Sequence, residues 1–221
     1  MNHKIEQLIS YPKSFYVCFK LLPFKQALRC PIFVRYNVKC FSLRGKAIII
    51  GPLSKGMIQI GYQYVGTHDV SHQRSVLEID GIIEFNGSVI LGSGCLLSVG
   101  KKGHLVFGSH FNNTSSGHIV CNKKIVFGKR VLMGWDVLVL DTDFHAVENI
   151  HTHKIRGIEN PIEIGDNVWF GTRSVVLKGS IIASGCIIGA LALVSGIFSE
   201  ENCCIAGNPA NVIKRGVTRK L

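Results

Sequence analysis

From Ile164 onward the chain repeats in sixes. IGDNVW, FGTRSV, VLKGSI, IASGCI, IGALAL and VSGIFS follow one another in phase, headed by Ile164, Phe170, Val176, Ile182, Ile188 and Val194. Four residues beyond the first five heads stand Val168, Ser174, Ser180, Cys186 and Ala192, all small. A helix returns a face every 3.6 residues and a strand every second one, so neither gives this pattern. Short strands joined by sharp turns do. Three hexads close one triangular turn, and turns stack at the strand spacing of about 4.8 Å. The large head fills the interior and the small residue fits the corner. One turn alone leaves its backbone and apolar face uncovered, so several must stack before the structure is stable.

The middle of the chain follows the rule less faithfully. Ile79, Phe85, Leu91 and Leu97 keep the spacing, Phe107 falls out of phase, and Cys121, Phe127, Met133 and Val139 resume it. Two register breaks are expected, near 98–106 and 108–120, where GKKGH and SHFNNTSSGH read as loops. A third break is longer, since 25 positions separate Val139 from Ile164. The stretch DTDFH, residues 141–145, opens it. An excursion over about 141–161 from a rigid scaffold is where function tends to be placed.

Composition supports one large domain with an appendage. Charged residues are 18% and hydrophobic ones 47% of 221, enough to bury a sizeable core. The net charge of +11 is concentrated. Residues 1–46 hold nine Lys or Arg against the single acid Glu6. Segment 1–50 is therefore expected to be a basic, mainly helical or irregular appendage, with the coil over 51–216 and a basic tail over 217–221. The mixed aromatics and cations of FYVCFKLLPFKQALRC suit an anionic membrane surface or an anionic ligand, with a solvated basic helix packed by its apolar side as the plainer reading. No module that reads nucleic acid is present. The eight cysteines contain no CxxC pair, and the first apolar run is broken by Lys20 and Pro23, so no cleavable signal is expected. Free thiols in a cytoplasmic protein follow. Residues 179–199 carry no charge over a span-length run, yet their glycines and hexad phase argue for coil, not membrane helix.

The hexads, together with DTDFH, NPIEIGDNVWFGTRSVVLKG and IAGNPANVIK, resemble the left-handed β-helix acyltransferases with hexapeptide repeats. The likeness is greatest to the maltose, galactoside and capsular-sugar O-acetyltransferase branch, over roughly residues 75–216. It implies an all-β chain whose coil is a left-handed parallel β-helix, assembled as a homotrimer. Exposed aliphatics such as Val175, Ile181 and Ile187 on flat faces favour such an assembly independently. The implied activity is transfer of an acetyl group from acetyl-CoA to a hydroxyl of a sugar or glycan, small, capsular or lipid-linked. An aminosugar N-acetyltransferase and a non-catalytic glycan-binding β-helix are the alternatives. The implied location is the cytoplasm, at the inner face of the membrane if residues 1–46 touch it.

Acyl transfer to a hydroxyl needs a base, a stabilised oxyanion and two substrates held in contact. Histidine suits the first role, and His145 matches the family's catalytic position. Asp141 and Asp143 have two readings. They orient the imidazole or bind acceptor hydroxyls, or else they accept bonds from backbone amides at the start of the loop. The resemblance further implies that Trp169, Gly171 and Thr172 line the pantetheine path, with Ala190 at a backbone contact and Asn208, Pro209 and Lys214 near the nucleotide. Ser195-Gly196 stands where relatives have Thr-Lys, so the cation that pairs the phosphates is either missing or supplied by Arg173, Lys214 or Arg215. Ala183 and Leu191 replace usual glycines, which puts the groove shape in question. His151 and His153 do not match the zinc arrangement of carbonic-anhydrase-type β-helices, and no metal is expected. His68, His72, His104, His110 and His118 fall in expected turns.

Overall fold

The computed structural model describes residues 3–70 and 72–220, and the side chains from Ile5 onward. Met1, Asn2, Ser71 and Leu221 lie outside the described residues, as do the side chains of His3 and Lys4. Two helices, α1 (His3–Leu21) and the single turn α2 (Phe24–Ala27), precede a run of short strands. The strands sort into three sheets by their place in each turn. The first holds 32–34, 58–60, 89–91, 111–113, 132–133, 169–170, 187–188 and 203–207, all parallel, closed by the antiparallel 210–215. The second runs from 39–43 to 193–194 and the third from 46–49 to 197–198, each of seven strands. This is a three-sided parallel coil in which every strand pairs with its counterpart one turn away.

The hexad heads do what their period requires. Ile164, Phe170, Val176, Ile182, Ile188 and Val194 are all buried, as are the small residues Val168, Ser174, Ser180, Cys186 and Ala192. Ser174 and Ser180 can sit inside because each hydroxyl donates to a nearby carbonyl, Gly171 O at 2.9 Å and Leu177 O at 2.7 Å. Along the third sheet Phe85, Phe107 and Phe127 stand in register and stack, with centroids 5.8 and 5.5 Å apart and rings nearly parallel. Residues 179–199 form short strands of the coil, and no described helix is long and apolar enough to cross a membrane.

Two expectations require correction. Residues 108–120 are not one loop: Phe111–Asn113 and His118–Cys121 are strands, and Phe111 is buried between Phe107 and Phe127. The hexad is hidden because Asn113 occupies an interior position, its side chain bonded to Gly134 O and Gly117 N. The appendage is also shorter than 1–50. Strands 32–34, 39–43 and 46–49 already form the first turn, so the helical segment ends near residue 28 and the coil begins at Ile32. A register shift between Cys40 and Ser42 blurs the period there, and Lys39, Arg44 and Lys46 point outward.

Candidate active site

The long break after Val139 is an arm. It leaves the second sheet after 138–140 and returns to the third at 162–164, carrying a small antiparallel hairpin, Val147–Glu148 against Ile155–Arg156. Asn149 shapes the hairpin turn by accepting from the amides of His151 and Thr152, and His153 pairs with Glu148 at 2.7 Å. His145, His151 and His153 do not converge, and no group of three or more His, Cys, Asp or Glu among the described residues could hold a metal.

The root of the arm is fixed by two charged groups. Asp141 is fully buried, and its carboxylate accepts from the backbone amides of Asn122, Lys123 and Lys124 at 2.7–2.8 Å. Of its two readings the structure thus shows the amide one: both oxygens are used, and Asp141 neither reaches an acceptor nor orients His145. Burial, with the Asp141 carboxylate nearby, pushes the neighbouring Cys121 thiol well above its ordinary range. Asp143 is partly exposed and pairs with Lys178 Nζ at 2.6 Å. Lys178 is almost wholly buried and also donates to Gly157 O and Ile158 O. One ammonium therefore ties both ends of the arm to the coil. Backbone bonds complete the root: Asp143 N to Ile158 O, Asn160 N to Asp141 O, and a bridge between Thr142 and Glu159. Sequence reasoning missed Lys178. The available signal is that it is the only lysine between Ile164 and Val194.

His145 follows Phe144, whose φ is +59°, and its backbone amide bonds Asp143 O. The imidazole is exposed, and among the described residues no hydrogen bond or ion pair engages it. The rest of the arm is unusually apolar for a surface segment. Phe144, Val147, Ile150 and Ile155 are each more than half exposed.

The expected donor residues gather elsewhere. Trp169 projects from the first sheet beside Leu132 and Ile187. Gly171, Thr172 and Arg173 form the corner between the first and second sheets, with Ala190 and Leu191 one turn on. Gly171 is required there, because a Cβ would lie 2.6 Å from Ala190 N. Thr172 Oγ1 donates to Trp135 O, and Leu191, in a glycine's place, takes φ +61° with its side chain exposed. Asn208, Pro209 and Lys214 are exposed on the terminal hairpin of the same sheet. Arg215 pairs with Glu200 at 2.9 Å, and Arg173 lies 3.5 Å from Asp136. A cleft of about 350 Å³ adjoins this corner, lined by Thr67, His68, Gln73, Trp135, Asp136 and Arg173. Its His68, 3.8 Å from Asp136, comes from the excursion between 58–60 and 76–79, a feature not expected from sequence. In one chain, then, His145 springs from the corner of the second and third sheets, whereas the donor residues lie on the first sheet and its corner with the second.

Comparison with known proteins identifies the coil. Residues 161–196 match the model of the bacterial transferase hexapeptide family, six repeats. A 24.8 kDa protein of the cps region of Klebsiella pneumoniae is 30% identical over 158 residues, covering 70% of this chain and 69% of the relative. The chain belongs to the hexapeptide-repeat transferases. A protein of Escherichia coli K12, provisionally named lipopolysaccharide biosynthesis O-acetyl transferase WbbJ, is 29% identical over 144 residues, 62% of this chain and 73% of its own. The crystal structure of the polySia-specific acetyltransferase NeuO superposes with a TM-score of 0.66 at 20% identity, covering 85% of this chain and 74% of that one. The hexapeptide-repeat coil is thus the left-handed parallel β-helix, and the chain is an acyltransferase. Burial makes several of its thiols poor nucleophiles, whereas the hydrogen bond with Cys18 draws Cys30 downward. Burial raises Cys95 to about 11 and is the leading cause of the upward shifts of Cys40, Cys186 and Cys203.

Proposed function

We propose that this hexapeptide-repeat acyltransferase moves an acetyl group from acetyl-CoA to a hydroxyl of a sugar or glycan, with His145 as general base. The observation that carries the reading is the His145 imidazole: unengaged in the single chain, yet held on an arm whose root is fixed by Asp141 and Lys178. In the proposed reaction the neutral imidazole takes the acceptor hydroxyl proton as its oxygen attacks the thioester carbonyl. The tetrahedral intermediate collapses with loss of the coenzyme A thiolate, which receives the proton back from the imidazolium. No acyl-enzyme forms. A positioned base of this kind contributes about 100- to 10,000-fold in rate.

The site is completed between chains in a homotrimer. Support comes from the separation of His145 from Trp169, Thr172 and Ala190 within one chain, and from the exposed Phe144, Val147, Ile150 and Ile155 of the arm. Docking the arm onto a neighbour's first sheet covers these side chains and sets His145 against that chain's donor groove. There Trp169, Gly171, Thr172 and Ala190 contact the pantetheine. Asn208, Pro209 and Lys214 lie near the nucleotide, with Lys214 and Arg173 as cations for its phosphates. Asp143, half-exposed beside Lys178, positions the loop that holds His145. The name of the Escherichia coli relative, a lipopolysaccharide O-acetyl transferase, supports a glycan hydroxyl over an amino group as acceptor, and the reading takes the enzyme to work in the cytoplasm at the inner face of the membrane.

The test is release of coenzyme A with a panel of deacetylated glycans and small sugars, with the mass of the product read for added acetyl. His145→Ala is expected to bind coenzyme A as the parent does in calorimetry while losing turnover. Undiminished turnover in that variant rejects the mechanism. Acetyl found on an amino group rejects the acceptor class.

A further inference from the structure

We propose that the N-terminal end of the prism docks on an anionic lipid bilayer through the outer face of α1 and α2. This surface is separate from the arm and the donor groove, and the proposal does not rest on the acetyl-transfer reading. Helix α1 lies across the first turn and contacts strands of all three sheets. Its inner face closes the coil: Val17, Cys18 and Leu21 are buried, and Ser10 and Ser14 bond the backbone of Tyr36 and Val34. Lys13 donates to Tyr36 O and Val38 O.

The outer face has the opposite character to that of an ordinary capping helix. Ile5, Leu8, Ile9, Pro12, Tyr16 and Phe19 fall within about 100° of arc at 3.6 residues per turn, and all are exposed. No charged residue of α1 shares that arc. Phe24 and Leu28 of the following turn extend it and are each more than half exposed. Solvent-facing helix surfaces carry polar side chains unless something covers them.

The occupant follows from charge and position. Lys20, Lys25 and Arg29 are exposed at one end of the apolar stripe, with Lys20 over the Tyr16 ring at 5.9 Å. The one acid of residues 1–46, Glu6, is turned inward against Arg35. Aromatic and aliphatic side chains beside unpaired-sign cations match the boundary of acyl chains and anionic headgroups. Among the described residues no helix can cross a bilayer, so the helix lies on the surface.

Flotation of the full chain with vesicles tests this. Wild type is expected to float with equimolar phosphatidylcholine and phosphatidylglycerol, to stay behind with phosphatidylcholine alone, and to be released by high salt. The double variant Leu8→Glu, Phe24→Glu should lose about tenfold or more of the bound fraction. Its melting temperature should not change, since both side chains are exposed. Lys25→Glu with Arg29→Glu should weaken binding to the anionic vesicles in the same way. Wild type recovered equally in the soluble fraction with both vesicles overturns the proposal. So does flotation unaltered by the Glu substitutions, and so does a change in oligomeric mass of the Leu8→Glu, Phe24→Glu variant without lipid, which assigns the face to contact between copies.

Discussion

The coil from Ile164 to Val194 and the arm from Asp141 to Pro161 are both rich in large apolar residues, but they use them oppositely. Every hexad head in the coil is buried within one chain. In the arm Phe144, Val147, Ile150 and Ile155 have no cover, although its root is held by a buried carboxylate and a buried ammonium. The coil is finished by its own sequence. The arm is rigid where it leaves the scaffold and incomplete where it carries His145, which is the arrangement expected of a site shared with another chain.

That contrast can be broken most forcefully at His145. His145→Ala should cut turnover by about 100- to 10,000-fold with no loss of thermal stability, because the side chain is exposed and unengaged. The coil should respond in the opposite sense. Ile182→Ala, deep in the stack, should cost about 2–5 kcal/mol of stability in a denaturant titration, with the surviving folded fraction still able to turn over.

The root of the arm should join the two behaviours. Asp141→Asn places an amide donor against three backbone N–H groups, so a loss of roughly 2–3 kcal/mol is expected from the same titration. Lys178→Met removes the tie between Asp143, Gly157 and Ile158 while filling the same space. Turnover should fall roughly tenfold or more, with coenzyme A affinity within about twofold of the parent by calorimetry. Equal loss of both would mean that the lysine supports the groove instead of the arm.

Smaller effects sharpen the picture at the edges. Leu191→Gly relieves a left-handed backbone at an exposed corner, and stability should rise by no more than ~1 kcal/mol. Asp80 is held down to about 2, first by its hydrogen bonds to Arg44 and Ser42. Because this folded-state value is depressed, its stabilising contribution is complete above the ordinary value of 3.8 and lost only as pH falls through about 2. Arg44→Ala should therefore lower stability slightly at neutral pH, and the difference from the parent should disappear as pH falls through about 2.

Much of this was legible in the residues. The coil follows from a period that neither helix nor simple strand can produce, and the arm from the gap between Val139 and Ile164. What escaped did so for definite reasons. Asn113 fills an interior position with a polar side chain, which hid a strand inside an apparent loop. The first turn carries a register shift and outward Lys39, Arg44 and Lys46, which made coil look like basic appendage. Lys178 stands in a hexad where a charged residue reads as solvent-facing, and only the arm folding back over it makes it buried. Asp141 and Asp143, two residues apart and alike in chemistry, separate because one points into the coil and the other toward Lys178. Local pattern specifies the scaffold well. Contacts made by an excursion returning across it are long-range and leave little local trace.

The central claim, that His145 of one chain serves the groove of another, is tested most directly by mixing two inactive variants. His145→Ala keeps the groove, and Ala190→Trp fills the groove at an exposed position while keeping the histidine. Co-refolded with distinguishable tags, the two should form mixed assemblies in which about a quarter of the interfaces pair an intact arm with an intact groove. The account predicts recovery of that share of turnover. Mixed assemblies confirmed by their tags, yet as inactive as either parent, would contradict it.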